Sequence, residues 1–235
     1  MTADRRAELA ASLAAVERRI ATACDAAGRS RDGVTLVVVT KFFPASDVAL
    51  LHDLGVRHVG ESRHQEAVAK HEECAALDLT WHFIGHLQTN KAAAVGSWAD
   101  VVQSVDRPKL LSGLARAAAD RGRALDVLVQ VSLDREGERG ARSGAPPGDA
   151  VALAEAVVAA DPLRLRGVMG VAPLEGDPAA AFTELAQVAG AVRQVDPGAT
   201  WISAGMSGDL ETAITRGATH VRVGSAVLGN RPRHG

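Results

Sequence analysis

The chain predicts an α/β fold, a single (β/α)8 TIM-type barrel preceded by an extra N-terminal helix. Strand-like apolar stretches alternate with helical patterns about eight times along it. Its 235 residues suit one such barrel. No linker-like composition interrupts the alternation, so residues 1–235 are expected to form one domain, with residues 1–28 as the leading helix. A doubly wound open sheet has the same alternation and remains the competing architecture.

Taken in order, Leu9, Leu13, Val16 and Ile20 recur at helical spacing, and Gly28 is a natural stop for that first helix. Strands follow at Thr35–Thr40, Arg57–Gly60, Trp81–Ile84, Val101–Ser104, Asp126–Ser132, Arg164–Val168, Thr200–Ser203 and His220–Val223. Helical patterns fill several of the gaps: Ser46–Leu54, Arg107–Arg121, Asp149–Ala159, Pro178–Val195 and Gly208–Arg216. The stretch Asp134–Gly148 is rich in Gly, Arg, Glu and Pro and reads as a long βα loop. Leu54–Gly60 and Arg216–Val221 echo one another, each a helix-stopping glycine followed by a short strand.

Composition narrows the function classes. Hydrophobic residues make up 47% and charged residues 23%, ordinary for a globular protein. A net charge of -2 gives no footprint for nucleic acid or an anionic membrane. The longest apolar runs are strand-sized, and Met1–Arg6 is charged, so neither a membrane span nor a signal peptide is expected. Cys24 and Cys74 form no metal-binding spacing and no disulfide framework, which suits a reducing compartment, the cytoplasm.

The chemistry centres on Lys41. It is delivered by the apolar strand Leu36–Thr40 to the barrel mouth, just before the turn Phe42–Phe43–Pro44. Partial desolvation there disfavours the ammonium and leaves more neutral amine to attack an aldehyde. A plain strand-end lysine with its head in solvent is the alternative. Downstream, Ser203–Asp209 and Val221–Ser225 end adjacent strands in small-residue turns, where barrels commonly bind phosphate. Glycines let the backbone approach an anion, and Ser207 and Ser225 add hydroxyls. Ordinary N-capping by Ser207 or Asp209 is the competing reading. Arg222, inside an apolar strand, either faces the mouth or pairs with an acid such as Asp209 or Glu211. Other polar strand ends are Glu61, Ser62, His82, Gln103, Ser104, Gln130 and Ser203. His82 and His86 flank a strand end without a carboxylate or cysteine at ligand spacing, so no metal site is expected. Asn90 and Lys91 read as a helix start facing a substrate, a partner or solvent.

These segments together resemble the pyridoxal phosphate homeostasis proteins, the YggS/PROSC family. They are Val38–Lys41, Gly60–Glu61, Trp81–Gly85 with Leu87–Lys91, Gly205–Asp209 and Val221–Ser225. The resemblance covers nearly the whole chain and implies the alanine racemase N-terminal-domain fold with pyridoxal 5′-phosphate as cofactor. It implies that Lys41 carries the cofactor as a Schiff base, and that Ser207, Gly224, Ser225 and the backbone near Met206 hold its phosphate. Arg222 would face the pyridine nitrogen, keeping it unprotonated and the ring a weak electron sink. Ser62 and Ser203 complete the cofactor-binding residues expected. Ser62 stands where the family commonly has asparagine, and His86 where it often has proline.

The expected function is that of a carrier which buffers and delivers pyridoxal phosphate and so maintains amino-acid and keto-acid balance. Two-sided racemisation needs a base on each face of the cofactor adduct. In alanine racemase the second is a tyrosine from a separate C-terminal domain of the partner subunit. The composition here contains no tyrosine. The chain also stops at Gly235, soon after its last strand, so that second domain is expected to be lacking. The expected partners are pyridoxal phosphate-dependent apo-enzymes, with a monomeric protein. The alternatives are a low-activity racemase-like enzyme and a class I aldolase-like barrel without cofactor.

Overall fold

The computed structural model describes residues 2–134 and 143–230. Eight parallel strands close on themselves in chain order, which settles the barrel against the open sheet. They are β1 (Thr35–Val39), β2 (His58–Glu61), β3 (Thr80–Phe83), β4 (Val101–Val105), β5 (Leu125–Val131), β6 (Leu163–Gly170), β7 (Trp201–Ser203) and β8 (His220–Val223). Closure is made by β1, which pairs with β2 on one side and with β8 on the other, Val38 opposite Val223.

Around the barrel lie α1 (Thr2–Ala26), α2 (Ala45–Asp53), α3 (His64–Glu73), α4 (Ala92–Gly96), α5 (Leu111–Asp120), α6 (Ala150–Val158), α7 (Pro178–Val195), α8 (Leu210–Thr215) and α9 (Ser225–Leu228). The expected helix over Arg107–Arg121 opens as a 3-10 turn at Pro108–Leu110, where proline tolerates the tight first turn. Helix α3 escapes the periodicity because only Ala67 and Lys70 of it are buried. The expected loop Asp134–Gly148 falls largely outside the described residues. Its far end returns beside β5, where Ala145 exchanges hydrogen bonds with Gln130 and Ser132 at 2.8 Å. Gly55 and Gly217, the echoed stops, both take positive φ, 96° and 98°.

The strand alternation sorts side chains into two layers. Leu36, Val38, Val59, Trp81, Phe83, Val102, Val127, Val129, Ile202, Val221 and Val223 face the helices and join the main apolar core. Val101, Leu128 and Met169 form a smaller apolar cluster inside the barrel. The intervening positions of β2, β3, β4, β7 and β8 put His58, His82, Gln103, Ser203 and Arg222 inside as well, so part of the barrel interior is polar.

Helix α1 braces the mouth. Arg19 pairs with Glu211 at 2.6 Å and donates to the Ser207 carbonyl at 2.9 Å. Arg5 pairs with Asp47 at 2.7 Å and donates to the Leu228 carbonyl at 3.1 Å. The segments after β7 and β8 are thus both tied to the first helix. Among the described residues no helix is long and apolar enough to cross a membrane.

Candidate functional site

At the C-terminal ends of the strands a cleft of about 700 Å³ is lined by Lys41, Phe42, Met206, Ser207, Arg222, Gly224 and Ser225 together with Val39 and Ile84. Six of the eight expected cofactor residues therefore converge on one cavity. Ser203 lies behind it, fully buried, and accepts from Arg222 at 2.7 Å. Ser62 lines a neighbouring cleft of about 570 Å³ with Arg63, His64, His86 and Lys91.

Lys41 is half-buried, on the inward alternation of β1, with its Nζ 6.0 Å from the centre of the Phe42 ring. The turn after it is unusual: Phe42 adopts φ 72°, a left-handed conformation that a bulky residue keeps only when its surroundings enforce it. Glu66 of α3 supplies the restraint by accepting the Phe42 N–H at 2.5 Å. Lys70, one helical turn on, donates to Glu66 at 3.2 Å, to Glu61 at 2.6 Å and to the Thr40 carbonyl at 2.8 Å. Thr40 Oγ1 also donates to Glu61, at 2.7 Å. Glu61 faces the helix layer and is not in the cleft wall; it braces the backbone that presents Lys41. Burial pushes its carboxyl above the ordinary value, opposed by the charge of Lys70.

The other end of the cleft has the chemistry of an anion cradle. The hydroxyls of Ser207 and Ser225 stand 3.4 Å apart. Among the described residues, the backbone N–H groups of Ser207, Gly208, Ser225 and Ala226 have no hydrogen-bond partner within the chain. A Cβ on Gly224 would come within 3.3 Å of the Val39 carbonyl, so this turn runs close against β1 and thus near Lys41. Asp209 does not bond a helical N–H of α8; its carboxylate accepts from Met206 N at 2.6 Å and shapes the turn. Two hydroxyls and four unpaired N–H groups fit a phosphate, and the half-buried amine fits an aldehyde. On these donors the residues present fit pyridoxal phosphate.

Arg222 forms the buried floor. It donates to Ser203 and, at 2.9 Å, to the Gly170 carbonyl. Burial lowers it to about 10, against the pull of Asp209, so it stays charged at neutral pH. The alternative ion pairs are spoken for: Glu211 pairs with Arg19, and Asp209 holds Met206. Sequence reasoning missed Lys70, Glu66 and the arginines of α1. The one signal for Lys70 is its i,i+4 spacing from Glu66, which is legible only once α3 is known to be a helix.

His86 reaches Ser143 across the neighbouring cleft, while Gln130 donates to the Ser143 carbonyl at 2.6 Å. The two tie down the described end of the long loop. Among the described residues, no three His, Cys, Asp or Glu side chains gather into a metal site.

Comparison with known proteins agrees with this geometry. The family model for the alanine racemase N-terminal domain matches residues 11–232. A pyridoxal phosphate homeostasis protein from Mycobacterium tuberculosis is 45% identical over 97% of this chain and 95% of its own length. One from Escherichia coli K12 is 35% identical over 95% of this chain and 97% of its own. PipY of Synechococcus elongatus, solved with PLP bound, superposes with a TM-score of 0.80 at 34% identity, covering 94% of this chain and 100% of that one.

Proposed function

This chain belongs to the alanine racemase N-terminal-domain family, among the pyridoxal phosphate homeostasis proteins, and on that premise we propose that it binds pyridoxal 5′-phosphate in the cleft at Lys41 and acts as its carrier. The observation that carries the reading is the convergence of Lys41, Ser207, Ser225 and Arg222 on one cavity. When bound, the cofactor supplies an aldehyde that condenses reversibly with an amine. Lys41 provides that amine. Ser207, Ser225 and the N–H groups beside them hold the phosphate, Gly224 keeps their turn close to β1, and Met206 covers one edge. Arg222, charged and donor-only, faces the ring nitrogen and leaves it no proton to take.

Such a site retains and releases the cofactor more readily than it drives turnover, which suits buffering and delivery to pyridoxal phosphate-dependent apo-enzymes in the cytoplasm. We take the working form to be a monomer of one barrel domain. The test loads purified protein, removes free cofactor by dialysis, and follows transfer to an apo-enzyme whose activity depends on it. Retention followed by transfer supports the carrier. Turnover of an amino acid from a panel, at rates that exceed cofactor release, would replace the carrier with an enzyme.

The phosphate grip can be measured alone. Ser207→Ala and Ser225→Ala each remove one hydrogen bond to a charged group, so each should weaken retention by about 1.5–3 kcal/mol, roughly ten- to 150-fold. The quantity to follow is the cofactor dissociation constant. Unchanged affinity in both variants would remove these hydroxyls from the site.

A further inference from the structure

Inside the barrel, the inward polar side chains are joined end to end. Arg222 Nη1 donates to Ser203 Oγ at 2.7 Å, and Ser203 Oγ donates to Gln103 Oε1 at 2.7 Å. Gln103 Nε2 meets His82 Nδ1 at 2.9 Å, and His82 Nε2 meets His58 Nδ1 at 3.0 Å. The row starts at the cofactor cleft and crosses to the first residue of β2. There His58 lines a second cleft, about 590 Å³, at the N-terminal face of the barrel. Ser203, Gln103 and His82 are wholly buried, so no water competes for their hydrogen bonds.

The direction of every link follows from its first member. A guanidinium has five donors and no acceptor, so Ser203 must accept from it and spend its single proton on the Gln103 carbonyl. The amide of Gln103 then presents N–H to His82 Nδ1, which has to be the bare nitrogen. His82 therefore carries its proton on Nε2 and gives it to His58 Nδ1. His58, in turn, has its own proton on Nε2.

We propose that Gln103 is the positioning residue for Arg222: its amide fixes a one-way hydrogen-bond chain that locks the guanidinium in plane at one end and holds His82 and His58 as Nε2–H tautomers at the other. The surroundings favour neutral imidazoles throughout. His82 is faced by His58 of β2 and by His220 and Arg222 of β8, with no carboxylate among these groups. Burial and these neighbours keep His82 well below the ordinary histidine value, and hold His220, near Arg166 as well, at about 3. This assignment deepens the cofactor reading, since it names what orients the residue at the ring, and it rests on that reading only for the ring itself.

The test is nitrogen-15 NMR of the imidazole and guanidinium groups in cofactor-free protein. In the wild type, both His82 and His58 should show the Nε2–H pattern. Gln103→Met keeps the length of the side chain but has no donor, and its thioether is only a weak acceptor. It should release His82 into a mixture of tautomers and speed solvent exchange of the Arg222 N–H protons about tenfold, as expected for loss of one buried link. An Nδ1–H tautomer at either histidine of the wild type overturns the proposal whether or not the variant folds. So does a folded Gln103→Met with the His82 pattern and the Arg222 exchange unchanged. Cofactor titration of the same samples separates the two readings: a wild type with the expected tautomers that takes up no pyridoxal phosphate overturns the cleft assignment and leaves the chain intact.

Discussion

Lys41→Ala is expected to abolish the pyridoxyl label trapped by borohydride, together with the absorption band of the lysine-linked imine. The fold should survive, with a loss below about 1 kcal/mol, because a half-buried strand-end side chain contributes little to the core. The phosphate cradle stays, so the variant should still hold the cofactor weakly and lose it on dialysis. Peptide mapping of the reduced wild type checks the assignment. Lys91 and Lys109 are exposed, and Lys70 is buried among three acceptors, so none of them competes for the aldehyde. A label found chiefly on one of those three would sink the role given to Lys41.

Lys70→Met should be the most destabilising single change near the site. Lys70 and Glu61 are both buried, and removing one partner leaves the other charged and unpaired at a cost of about 3–5 kcal/mol. The pH dependence has a definite sign. Burial already holds the Glu61 carboxyl above its ordinary value, so the folded state binds more protons than the unfolded state between the two values. Stability from this group is thus full below the unfolded value and is lost as pH rises through the folded one. Without Lys70 the folded value rises further and the window widens. The deficit of the variant should be largest at neutral pH and shrink at mildly acidic pH, as Glu61 takes up a proton. Urea denaturation at both pH values measures it. A deficit that does not change with pH would mean that Glu61 is not the group left unpaired.

The strands were legible because β-branched runs and apolar alternation are local signals, and the observed strand ends differ from the expected ones by a residue or two. Lys41 and the two serine turns were legible for the same reason, since each is attached to its own strand end. The supports behind them were not. Gln103 and Ser203 are 100 positions apart, and each looks, taken alone, like a stray polar residue in an apolar strand. Only closure of the barrel makes them neighbours. Lys70 was hidden by the polar composition of α3. Ser62 carried an expectation drawn from the motif around it, whereas the turn toward His64 puts it in the adjoining cleft.

The ties from α1 to the two serine turns also bear on how the molecule is made. The ribosome delivers α1 and Lys41 first and Ser207 and Ser225 afterwards, about 10–40 s later at ordinary elongation rates. Throughout that interval the nascent chain displays its lysine with nothing to grip a phosphate. Pairing of β8 with β1 closes the barrel, and in the closed barrel Arg19 holds the Ser207 carbonyl and Arg5 the Leu228 carbonyl. On the proposed site, cofactor capture waits for the pairing of β8 with β1.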